Sequence, residues 1–161
     1  MKLRDFKLER SNHFVAMEYY GLILNRTFLV LIYKNNLIGL KVNGLVSAPT
    51  VGDPFTDAVT GMMAIKGNLK NPYAYIKRKY LRKLEDLEIE GNEILQISSA
   101  NFKLMKSDII EVSQTNKKKW GMGPYPHDGR IFIKTRQYGR REFIILGNQS
   151  SKDISEWLLD N

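Results

Sequence analysis

Residues 100–112, ANFKLMKSDIIEV, decide how the rest of the chain is read. Phe102 and Leu104 alternate with polar neighbours, as residues of a half-buried strand do. Lys106, Ser107 and Asp108 interrupt the alternation, and Ile109, Ile110 and Val112 resume it. The stretch is a hinge between two strands. Upstream of it the pattern is that of hairpin strands carrying a helical insertion. Downstream it is a β-meander closed by a helix.

Toward the N-terminus, residues 14–25 read as one strand bent at Gly21, with Val15, Met17 and Tyr19 in alternation. Residues 28–34 and 37–43 are richer in β-branched and aromatic side chains. Asn35 and Asn36 between them tolerate the positive φ of a two-residue hairpin turn. Residues 46–52 read as a loop, after which Asp53 and Pro54 supply an N-cap and a first-turn proline for a helix ending at Gly67. Asn71 and Pro72 repeat that signal for a helix reaching Glu88. Its Tyr73, Ile76, Tyr80, Leu84 and Leu87 fall within an arc of about 80° and form its core stripe. A short helical turn over 93–97 leads back to the hinge.

Beyond the hinge, residues 120–129, WGMGPYPHDG, are too rich in Gly and Pro for regular structure. Residues 130–136 and 140–146 then form a hairpin around Gln137, Tyr138 and Gly139. A three-residue loop there pairs Arg136 with Arg140, Lys134 with Glu142 and Phe132 with Ile144. One face carries Ile131, Ile133, Phe143 and Ile145 to the core; the other carries Arg130, Phe132, Lys134 and Arg136. Ser150 and Asp153 resemble a capping box for a last helix, whose apolar side is Ile154, Trp157 and Leu158.

Composition limits the chemistry. A chain of 161 residues, 43% hydrophobic and 26% charged, suits one folded domain over 1–161, with the helical insertion at about 53–98. With no Cys, disulfides, thiolate metal sites and cysteine nucleophiles are excluded. The N-terminal MKLRDFKLER is too charged for a signal peptide, and the apolar run over 21–32 is broken by Asn25 and Arg26. The expectation is a cytoplasmic protein without a transmembrane segment. A net charge of +8 makes anionic partners worth testing.

The order of elements, three strands, an insertion, four strands and a closing helix, resembles the pleckstrin-homology (PH) superfold. The segments NFKLMKSDIIEV, RIFIKT, REFIIL and SSKDISEWLL are similar in pattern to small bacterial PH-like proteins. The resemblance implies an α+β fold in which two orthogonal sheets make a seven-stranded antiparallel barrel. A C-terminal helix would cap it, with the helical insertion between strands three and four. It also implies a non-catalytic interaction module that docks a protein or peptide. The first hairpin loop, YKNNLIG, lacks the basic pattern with which such folds hold phosphoinositides.

Three basic stretches are candidate binding surfaces for a protein partner, anionic lipid or nucleic acid. Lys77, Arg78, Lys79, Arg82 and Lys83 would line one helix; the competing reading is a solvated face with Arg82 paired to Glu85 and Asp86. Lys117, Lys118, Lys119 and Trp120 sit on a loop that could grip a ligand or simply cross solvent. Arg130, Lys134 and Arg136 interleave with Phe132 at period two, as a sheet that stacks a base would. Lys134 opposite Glu142 would instead make an ordinary cross-strand pair. His13 and His127 are the only imidazoles, and no nucleophile motif, phosphate loop or metal-ligand spacing accompanies them. No catalytic residue, metal or cofactor is assigned. The apolar stripe of the insertion would also suit a homodimer.

Overall fold

A computed structural model of the chain describes residues 1–21, 24–46, 65, 67–119 and 123–160. The expected loop over 46–52 and helix from Asp53 to Gly67 fall almost wholly outside the described residues, as does Trp120. The described residues form seven strands: β1 (His13–Tyr19), β2 (Asn25–Tyr33), β3 (Asn36–Asn43), β4 (Phe102–Met105), β5 (Ile109–Thr115), β6 (His127–Thr135) and β7 (Gly139–Leu146). They form one antiparallel sheet in the order β4-β3-β2-β1-β7-β6-β5. Strands β4 and β5 lie at opposite ends of that order, yet only a 3-10 turn, Lys106–Asp108, separates them in the chain. The two ends must therefore come together, and the sheet curls into a half-barrel. The hinge read from the sequence is the residue-level cause of that curl.

Alternation along the strands creates two hydrophobic clusters. Phe14, Ala16, Phe28, Val30, Phe102, Ile131, Ile133, Phe143 and Ile145 fill the concave side. Val15, Met17, Leu29, Leu31, Ile38 and Leu40 face the other way and are covered by Leu3, Tyr75, Leu84, Ile89 and Ile94. β1 is thus buried on both faces, each large apolar side chain contributing roughly 1.5–3 kcal/mol. A closing helix, Ser151–Leu159, is capped by the Ser150 hydroxyl, which accepts from the Asp153 amide at 3.1 Å. It lays Ile154 and Leu158 into the concave cluster against β5 and β6, as the apolar spacing required. Trp157 is only partly buried beside them.

Several local expectations are corrected. The strand expected over 14–25 ends at Tyr19; the Tyr20 amide donates to the Leu24 carbonyl at 3.0 Å and Asn25 already opens β2. Its turn into β3 centres on Lys34 and Asn35, one residue early, with Tyr33 opposite Asn36 and Lys34 at φ 51°. In the β6–β7 hairpin, Gly139 adopts φ 73° as anticipated but stands opposite Thr135, so the register moves by two. The Thr135 hydroxyl fixes that choice, accepting from the Tyr138 amide and donating to the Gly139 carbonyl at 3.1 Å each. Lys134 therefore faces Arg140, and Phe132 faces Glu142. The shift is even, so the inward set is unchanged: Ile131, Ile133, Phe143 and Ile145 are all buried.

The insertion departs furthest from expectation. The continuous helix over 71–88 is replaced by a 3-10 turn, Pro72–Tyr75, then two extended residues, then the single turn α1 (Arg78–Leu81). Asn71 does cap the start, accepting from the Tyr73 amide at 3.0 Å. The helix breaks because the Lys77 amide donates to the Val42 carbonyl of β3 at 3.0 Å, which demands extended backbone at Ile76 and Lys77. A tertiary hydrogen bond here overrides helical propensity. Leu84 is buried and Ile76 and Leu87 are half-buried on the sheet, but Tyr73 is exposed and Tyr75, outside the expected stripe, is fully enclosed. A short helix α2 (Asn92–Gln96) returns the chain to β4 where a helical turn was expected. The helix Ser151–Leu159 is α3 below.

Candidate binding surface

The three basic stretches fare differently. With the helix broken, Lys77 is half-buried on extended chain, Arg78 and Lys79 lie on α1, and Arg82 and Lys83 follow it on turns. They share no helical face. The Arg82 pairs with Glu85 and Asp86 do not form: Asp86 is bonded by Arg4, and among the described residues Arg82 has no ion pair. Arg78, Lys79, Arg82 and Lys83 are exposed.

The second and third stretches converge. The Lys117 carbonyl accepts from Arg130 Nε at 2.9 Å, which ties the loop after β5 to the outer face of β6. Glu142 lies between Lys119, at 2.9 Å, and Arg130, at 2.8 Å. Burial pushes the Glu142 carboxyl up, but hydrogen bonds from Lys119 and Arg130 prevail and hold it below its ordinary value. Lys117 and Lys118 are exposed.

At the centre of this outer face is Phe132. The Arg140 guanidinium carbon sits 3.9 Å from its ring centroid and that of Arg130 5.4 Å away. Register places Lys134 directly opposite Arg140 on one side and Glu111 on the other. Like charges directly opposite across strands destabilise a sheet. Among the described residues Lys134, Arg136 and Arg140 form no ion pair, and Lys134, Arg136 and Arg140 are all exposed. A depression of about 230 Å³ lies between Phe132, Lys134, Arg140, Glu111 and Ser113. Arg140 was not among the residues singled out from the sequence. The Thr-x-x-x-Gly pattern at Thr135–Gly139, which sets the even register shift, was the signal for it.

A different arginine stabilises the interior. Glu18 on β1 accepts from Arg26 on β2 at 2.8 Å and from Arg141 on β7 at 3.1 Å, and the Arg141 guanidinium stacks 3.8 Å over Phe102. All three side chains are at most a quarter exposed. This group closes one end of the aromatic interior and is structural.

Two further features were missed. Apart from the Ile109 amide, which donates to the Lys106 carbonyl of the preceding turn, β5, seven residues long, has no backbone hydrogen bond to any described residue beyond its β6 partner. A cleft of about 500 Å³ opens between residues 8–10, residues 68–73 and the start of α3, with His13 at its floor. His13 Nδ1 faces the Glu9 carbonyl at 2.7 Å and Nε2 meets the Tyr73 hydroxyl at 2.6 Å. Burial lowers the His13 pKa more than the Glu9 carbonyl raises it, so the neutral ring donates to Glu9 and accepts from Tyr73 at neutral pH. Arg10 bridges to Asp153 across the cleft mouth at 3.0 Å. Both ring nitrogens are thereby engaged, and the arrangement is a clasp between β1 and the insertion.

Among the described residues no three His, Asp or Glu side chains converge as a metal site, and no helix is long and apolar enough to cross a membrane. No protein-family model, curated protein or solved structure matches the chain.

Proposed function

We propose that this chain is a non-catalytic docking module of PH-like build, working in the cytoplasm, that takes an extended peptide as an eighth strand along β5. The PH-like reading is supported by the strand order, by the hinge that brings β4 and β5 together, and by α3 seated against β5 and β6. The observation that carries the docking function is the edge itself. Exposed edges are normally blunted by Lys, Pro, short length or a covering element. β5 reads IIEVSQT, with neither Lys nor Pro, and its bulge is confined to its first residues, between Ile109 and Glu111. Ile110 is half exposed. Such an edge offers a row of amides and carbonyls to an added strand, which gives affinity through main-chain hydrogen bonds.

A peptide selected from a random display pool on the purified protein should slow the hydrogen exchange of those β5 amides that face away from β6. Selected peptides that protect no β5 amide, or a pool that yields none, would sink the reading. A second copy of β5 is the competing occupant. Sedimentation equilibrium should give a monomer, and a dimer with β5 amides already protected would replace the peptide by the chain itself.

A further inference from the structure

The outer face of β6 and β7 is a site distinct from the β5 edge, and we infer that it binds single-stranded nucleic acid. Three observations carry this. Cations line the strand: Arg130, Lys134 and the turn residue Arg136 on one side, Arg140 beside them, and Lys117 and Lys118 at the far end. Side chains on one face of a strand recur about every 7 Å, a pitch suited to successive phosphates of an extended polyanion. Glu142 neutralises part of the charge of Lys119 and Arg130, and Glu111 stands opposite Lys134, which leaves Lys134, Arg136 and Arg140 exposed and without an ion pair among the described residues. Lastly, Lys134 stands opposite Arg140. That pairing costs stability in the free protein and is relieved by an anion placed between the two.

The aromatic centre distinguishes nucleic acid from other polyanions. Phe132 carries the Arg140 guanidinium on its ring at 3.9 Å, and Arg140 is itself exposed. An unpaired base can continue the stack, as bases do on arginine planes and aromatic rings. A duplex has no free base face to offer. An anionic membrane would instead need apolar side chains projecting from the rim, and Tyr138 at the hairpin tip is the one exposed large hydrophobic among the described residues of that hairpin.

The experiment is fluorescence anisotropy of labelled oligothymidylate and oligouridylate titrated with the intact protein at several salt concentrations. The triple variant Lys134→Gln, Arg136→Gln, Arg140→Gln should bind at least tenfold more weakly. Its log–log salt slope should be shallower by about 2, at ~0.7 per lost phosphate contact on a single strand. Phe132→Leu takes away the ring that supports the Arg140 guanidinium and should weaken binding about fivefold, the lower bound for loss of one stacked base, while leaving the slope unchanged. Arg78→Gln with Arg82→Gln, on the insertion, should change neither. If the triple variant does not fold, Lys134→Gln alone should still lower the slope by about 0.7. Binding that ignores the charge variants overturns the inference. So does binding that is indifferent to Phe132→Leu and is matched by inorganic polyphosphate, or capture by phosphatidylserine vesicles with no oligonucleotide bound. Loss of peptide binding at the β5 edge would leave these measurements untouched, so the two readings fail separately.

Discussion

At the scale of single residues, Gly39 and Phe102 show how closely the half-barrel is packed. They are cross-strand partners on β3 and β4, and a Cβ on residue 39 would lie 1.9 Å from the Phe102 ring. That ring cannot swing freely, being packed against Phe28 and Phe143 with Arg141 on its face. Gly39→Ala should cost about 1–3 kcal/mol by overpacking, and Phe102→Leu in the same chain should return part of it in a double-mutant denaturation cycle. Glu18→Ala strips the one carboxylate shared by Arg26 and Arg141 and should cost about 3 kcal/mol, more than a surface pair would. A urea midpoint unchanged by Glu18→Ala would contradict a structural role for the triad. Acid should act in two windows. The unfolded chain binds a proton at His13 before the folded one does, so stability falls as pH drops below the ordinary value of 6.5. Glu142 adds a second loss once pH falls below its ordinary 4.5, because its folded pKa is also lowered. His127, which burial also holds below its ordinary value, shares the first window, so melting curves should show His13→Gln reducing the first decline without abolishing it and leaving the second.

At the scale of elements, α3 gives the sharpest comparison. Ile154 is almost wholly enclosed in the concave cluster, whereas Trp157 is only partly so. Ile154→Ala should cost ~2–5 kcal/mol, and Trp157→Ala less than the ~3–5 kcal/mol of a fully enclosed aromatic; thermal melts in the reverse order would mean that the helix is rotated. The same contrast explains what could be read from the chain. Strands whose side chains alternate between two buried faces, as Phe14 to Met17 do, announce themselves, and so does a Ser150–Asp153 cap, because each is decided within a few residues. The insertion was misread because its geometry is decided elsewhere: a carbonyl on Val42 draws the Lys77 amide out of any helix. The cationic face was half legible. Period two placed Arg130, Phe132 and Lys134 together, but the turn around Thr135 put Arg140, not Glu142, opposite Lys134. The β5 edge and the His13 clasp were not legible, since each is defined by what the rest of the fold brings near it or leaves away.

At the scale of the whole molecule, β1 is the member that joins the two halves of the sheet, pairing with β2 along its length and with β7 at Ala16 and Met17. The partners on β7 are Ile145 and Ile144, close to the far end of the chain. Contacts this distant in sequence make closure slow, so refolding after dilution from urea should fall in the millisecond-to-second range typical of all-β topologies. A microsecond phase that recovered the full fluorescence signal would contradict it. The same arrangement bears on synthesis. As the polypeptide leaves the ribosome, β1 to β4 can pair among themselves, but the second side of β1 waits for β7, which emerges only after the insertion and five further strands have been made. For that interval the nascent chain displays a bare, apolar strand edge, and a holding chaperone would find its target there.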